Sequence, residues 1–216
     1  MKARSFLFAA CLAASLSVGS VLAAPPVPSL NSPEFAKGPY SAMHMLLEKT
    51  FLNVDVLTVD VRFGKHLHPR LQEIAKGKKY SESVGKQVAD VAIQADDALV
   101  QLKFKRDVSL SMWIDAVREN LEQARQAGLI TADVEKKVSQ GLPKWFAALK
   151  ERGYKENDRL LYRVRADSLR TVVVSADGKI LVDKLDKDKV APRVVMASYF
   201  APKSDFREPL LRSFFK

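Results

Sequence analysis

From Asp158 onward the apolar residues of this chain recur at every second position through three successive segments, and that run constrains the fold more than any other feature. Leu160, Tyr162 and Val164 mark one strand, Leu169 to Val174 a second, and Lys179 to Asp183 a third. Asp177-Gly178 supplies the tight turn between the last two. Strands joined by turns this short must pair antiparallel, because a parallel neighbour needs a crossover of roughly a dozen residues or more. The chain therefore contains an antiparallel meander, and any architecture assigned to it has to accommodate one.

Upstream, the period changes back and forth. Phe51 to Val61 is rich in β-branched residues and reads as a strand ending near Gly64, with Met43 to Leu47 as the strand before it. A basic, less regular stretch follows, in which Pro69 marks a loop. From Ser81 to Ala95 the positions Val84, Val88 and Ala92 recur as on a helix face, and Ala98 to Phe104 reverts to a strand. Ser109 or Ser111 caps the next helix, where Trp113, Ala116, Val117, Asn120, Leu121 and Ala124 share one side before Gly128 ends it. Thr131 caps another, whose stripe runs from Val134 through Leu142 to Leu149, with Pro143 expected to kink or restart it. Asp188 caps a helix reaching Phe200, and Asp205 to Phe215 forms the last one. With no regular strand-helix alternation, this order predicts an α+β fold, an antiparallel sheet packed against helices on one face.

The N-terminus carries a different signal. Lys2 and Arg4 precede an uncharged apolar run from Ser5 to Leu22, and Val21-Leu22-Ala23 offers the small residues of a cleavage site. Residues 1–23 are expected to be a secretory signal peptide, so that the mature protein works in the periplasm or is secreted. Residues 24–40 contain Pro25, Pro26, Pro28, Pro33 and Pro39 and read as an extended, proline-rich leader, with the folded domain spanning 41–216. The single cysteine, Cys11, falls in the segment to be removed, so the mature domain relies on a hydrophobic core without disulfides.

The chain has 35 Lys and Arg against 25 Asp and Glu, a formal charge of +10. Loss of Lys2 and Arg4 leaves 33 against 25, or +8. The basic residues are mixed with acids along the whole chain, without the dense tract of a nucleic-acid binder, and export argues against that role. The charge fits solubility and peripheral contact with an anionic membrane surface. No Gly-x-Ser-x-Gly elbow, phosphate loop or dinucleotide fingerprint is present, and the residues imply no cofactor. His66-Leu67-His68 and His44 lack a third ligand at fixed spacing and read as a solvated loop and an isolated side chain rather than a metal site. Trp113 and Trp145 sit on apolar helix faces, where core packing is the first expectation and a pocket wall the second.

Several strings, in order, resemble the chalcone isomerase-like family, in particular its exported bacterial branch: Phe51 to Val61, Leu102 to Ser109 before a helix, the Asp158 to Asp183 meander, and Val194 to Leu211. The likeness covers about residues 40 to 216. It implies an open-faced sheet wrapped by helices, with an apolar cleft between the two layers. Plant enzymes of that family cyclise chalcones to flavanones, and relatives without that activity include plastid fatty-acid-binding proteins. The enzymes place a strand arginine and threonine, and a helix tyrosine and asparagine seven apart, around the ligand. Here the resemblance puts Met43 at the arginine position and Asp55 at the threonine position. On the helix it puts Trp113 in place of the tyrosine and Asn120 on the matching asparagine. Tryptophan cannot present a hydroxyl. The resemblance thus implies a non-catalytic protein that binds a small apolar or fatty-acid-like ligand, with Met43, Asp55, Trp113 and Asn120 at the site. Two alternatives stand beside it: an intramolecular lyase or isomerase with Asp55 as base, and an envelope scaffold whose cleft is plugged beside Trp113.

Overall fold

The computed structural model describes residues 25–36, 40–49 and 54–215. The expected signal peptide, and Phe51 to Asn53 of the expected strand, lie outside the described residues. Six strands, β1 (Ser41–Lys49), β2 (Val54–Phe63), β3 (Asp97–Phe104), β4 (Arg159–Arg165), β5 (Ser168–Val174) and β6 (Ile180–Asp186), form one sheet in chain order, each antiparallel to the next. The meander logic of the C-terminal half therefore extends to the whole sheet, with helices inserted between its strands. Gly178, at φ 90°, takes the left-handed position of the β5–β6 turn, where any Cβ would be strained.

Register decides which side chains face the helices. Met43 and Met45 of β1 lie opposite Val61 and Val59 of β2, which lie opposite Val100 and Leu102 of β3. The row continues through Tyr162 and Leu160 of β4 to Thr171 and Val173 of β5. Buried throughout, this face forms the floor of the main core. Above it lie α3 (Glu82–Ile93), α4 (Leu110–Gln126), α5 (Ala132–Trp145), α6 (Val190–Phe200) and α7 (Arg207–Phe214). Ser109 and Thr131 cap their helices as expected and Ser81 caps α3, each accepting a hydrogen bond from the backbone N–H three residues on. Asp188 Oδ1 accepts from the N–H groups of Val190 and Ala191 at the start of α6.

Three sequence expectations need correction. Pro69 does not mark a loop: α2 (His68–Ala75) starts there, with the proline in its first turn, where a missing N–H costs nothing. Pro143 does not restart the helix: it lies inside α5, which ends two residues later at Trp145 and passes into a 3-10 turn, Ala147–Leu149. So close to the C-terminus the proline forfeits little of the helix ladder.

The third correction concerns the leader. Residues 25–36 are extended at first, as their prolines require, but they belong to the fold. They run across the sheet face opposite the helices and end in one helical turn, α1 (Pro33–Ala36). Phe35 is 1% exposed and packs with Leu99, Leu161, Val172 and Val174, the apolar residues of that back face. Arginines from three strands hold the strap. Arg62 donates to the carbonyls of Leu30 and Phe35, and Arg170 to those of Pro25 and Pro26. Arg163 pairs with Glu34 at 2.9 Å, and its guanidinium lies over the Phe35 ring, 4.9 Å from the centroid. A proline-rich segment has carbonyls to spare and few donors, and strand arginines supply what it lacks.

Candidate functional site

α4 packs on α5 and on α6, the 3-10 turn that follows α5 packs on β6, and Trp145 at the end of α5 meets Lys184 of β6. The space beneath these helices is a cavity of about 1360 Å³, bordered by β1 to β6 below and by α4, α5 and α6 above. That exceeds the ~300–1,000 Å³ of an ordinary small-molecule pocket. Its lining is chiefly apolar, including Met45, Leu57, Leu102, Val117, Val138 and Val194.

Of the four site residues expected from the resemblance, the structure brings two together here, and Trp145, read as core or pocket wall, joins them. Trp113 and Asn120 both border the cavity from α4, as their spacing of seven requires. Trp113 is buried, meeting Phe146 edge-on at 4.5 Å and Tyr154 at 5.4 Å between centroids. These rings occupy the space beside Trp113 but do not plug the cleft. The Asn120 amide is committed within the protein: it donates to the Ala116 carbonyl at 3.0 Å, and the Ser204 hydroxyl lies 3.2 Å from its Oδ1. It ties α4 to the α6–α7 connection.

Met43 is a correction. It faces the helices but is 2% exposed in the packed core and does not border the cavity; Met45, two residues on and on the same face, does. A strand period of two preserves the face and not the depth along it. Asp55 lies in β2 opposite Glu48, and its side chain is outside the described residues. The three histidines do not meet at a shared site: His44 bonds Asp60, His66 bonds Asp96 and His68 bonds Ser41. Among the described residues no group of three His, Cys, Asp or Glu is placed to hold a metal ion.

Sequence reasoning missed the polar part of the lining. Tyr162, Thr171 and Lys184 are successive cross-strand partners on β4, β5 and β6, and all three border the cavity. Tyr199 borders it from α6. Burial pushes the Tyr162 phenol above its usual range, and burial together with the neighbouring Tyr162 does the same to Tyr199. Both are neutral hydroxyls at physiological pH. Lys184 contacts the Asp186 carboxylate and sits over the Trp145 ring, 4.3 Å from its centroid.

Behind this wall Tyr154 stacks on Phe104 at 4.1 Å, and its fully buried hydroxyl has no hydrogen-bond partner among the described residues. An unpaired buried hydroxyl costs about 1–3 kcal/mol. Tyr154→Phe keeps the ring and removes that cost, so it should leave stability unchanged or raise it by about 1 kcal/mol in urea denaturation. A loss above about 1 kcal/mol would show that the hydroxyl is satisfied.

No family model matches the chain, and no curated protein does. Among solved structures it is similar to a fatty-acid binding protein of Arabidopsis thaliana, 13% identical in sequence, with a TM-score of 0.55 over 82% of this chain and 84% of that one. This likeness shows the fold. The chain has the α+β, open-faced sandwich expected of a chalcone isomerase-like protein, with six antiparallel strands under a layer of helices.

Proposed function

We propose that this chain is an exported, non-catalytic chalcone isomerase-like protein that holds a small apolar or fatty-acid-like ligand between its sheet and helices. The observation that carries the reading is the cavity of about 1360 Å³, open beneath α4 and α5 and lined mainly by hydrocarbon. Burial of a chain there contributes up to ~0.8 kcal/mol per methylene, enough for a dozen carbons to bind without a strong polar anchor. The printed name of the Arabidopsis structure, a fatty-acid binding protein, supports the ligand class.

The groups around the cavity favour holding over turnover. Its tyrosines stay protonated, Asn120 is spent on internal bonds, and Lys184 is neutralised by Asp186. Export and a periplasmic or secreted location rest on the N-terminal pattern, read as cleaved after Ala23 or Ala24. Leu46, Met112 and Val190 are exposed apolar side chains at the cavity border. With the basic surface, they suit peripheral contact with an anionic membrane as the source of ligand.

Native mass spectrometry and solvent extraction of the mature protein, isolated after export from its own host, test this. A stoichiometric co-purifying apolar molecule, or uptake from a lipid mixture that Val117→Trp blocks by filling the cavity, is the expected result. A clean apo mass with no uptake would sink the proposal.

A further inference from the structure

The cavity carries a patch of hydroxyls with no hydrogen-bond partner among the described residues. Tyr162 is 9% exposed, Thr171 5% and Tyr199 6%, yet none of these side chains makes a hydrogen bond to another described residue. Tyr162 and Thr171 stand directly opposite each other on β4 and β5, and α6, which carries Tyr199, packs on those same two strands. These hydroxyls are not among the fully enclosed polar atoms that lack a partner; they open onto the cavity, where they are free to donate to an acceptor that enters it.

The charge of that acceptor follows from the neighbours. Lys184, next to Thr171 in the cross-strand row, is half-buried and already held by Asp186 and the Trp145 ring. Arg106 and Lys137 are exposed at the cavity border, and Glu48, Asp188 and Asp205 border it too. The cation on the hydroxyls' own cross-strand row, Lys184, is thus already paired, and an ionised group buried without a free counter-charge is strongly disfavoured. We propose that Tyr162, Thr171 and Tyr199 receive the carbonyl oxygen of an uncharged ligand, a long-chain ester or ketone, in preference to an ionised carboxylate. This assignment rests on the ligand-binding reading and specifies the polar end of the molecule that the cavity takes. Elevated phenol pKa values are consistent with it, since donors to a neutral oxygen must keep their protons.

The test is titration of the mature protein at pH 8 with methyl laurate, laurate and dodecane, read by the fluorescence of Trp113 and Trp145, which both border the cavity. Methyl laurate is expected to bind roughly tenfold more tightly than laurate. Thr171→Val and Tyr162→Phe should each weaken the ester about fivefold, the worth of one hydrogen bond, and leave dodecane unchanged. Thr171→Ser, which restores the hydroxyl, should recover ester binding, and circular dichroism should show every variant folded. Laurate binding more tightly than its ester, with Lys184→Met removing that preference, would overturn the proposal. Ester binding unchanged in both hydroxyl variants would overturn it as well, while leaving the cavity a binding site for the chain. Failure of all three ligands, dodecane included, would defeat the ligand-binding reading itself, and this inference with it.

Discussion

Phe35→Ala is expected to lower the stability of the mature protein by about 3 kcal/mol, to be read as a shift of the urea midpoint at unchanged slope. The ring is 1% exposed, pressed between the strap and Leu99, Leu161, Val172 and Val174 on the back of the sheet. Truncating a buried phenylalanine costs about 3–5 kcal/mol through lost transfer energy and the cavity left behind. Arg163 adds to the effect. It is 7% exposed, and although it donates to the Ala98 and Val164 carbonyls and pairs with Asp97, it leans on the Phe35 ring and on Glu34 of the same strap. A strap loosened by the substitution would leave those apolar back-face residues open to water and the protein prone to associate. A cost below about 1 kcal/mol would mean that the strap lies on the sheet without stabilising it.

Asp158→Ala is expected to be as severe. The carboxylate is 0% exposed and accepts from Arg152 at 2.6 Å, from the Lys155 N–H at 2.8 Å and from the Ala176 N–H at 3.1 Å. It therefore joins the entry to β4 with the β5–β6 turn, and its loss strands two backbone donors and the guanidinium together. Removing one partner of a buried, hydrogen-bonded ion pair costs about 3–5 kcal/mol. Arg152 is only partly buried, so about 3 kcal/mol is the expected loss in urea denaturation. Asp158→Asn keeps one acceptor oxygen and should fall between the alanine variant and the parent. Equal stability of all three proteins would remove the carboxylate from the account of the fold.

The local elements were legible because their causes are local. Caps at Ser109 and Thr131 announce helices through one side-chain oxygen near the first turn, and Asp177-Gly178 announces a hairpin through one positive φ. Likewise, Trp113 and Asn120 could be placed on one helix face from spacing alone. Errors arose where a residue has two uses. Proline stops a ladder in most settings but opens a helix at Pro69, and in the leader it leaves carbonyls that Arg62 and Arg170 bind.

The polar centre of the cavity could not have been read from the chain. Tyr162, Thr171 and Lys184 are nine and thirteen residues apart and become one row only through the register of β4, β5 and β6. By itself the sequence determined most of the element types, α1 and α2 excepted, the antiparallel meander and the helix face that carries Trp113, because backbone conformation and hydrophobic period are properties of neighbours along the chain. Only the tertiary structure decided that Met45 rather than Met43 reaches the cavity, that the leader covers the back of the sheet, and which hydroxyls stand without partners. Burial, depth and unmet hydrogen bonds are relations between segments distant in sequence, and they exist only once the layers have packed.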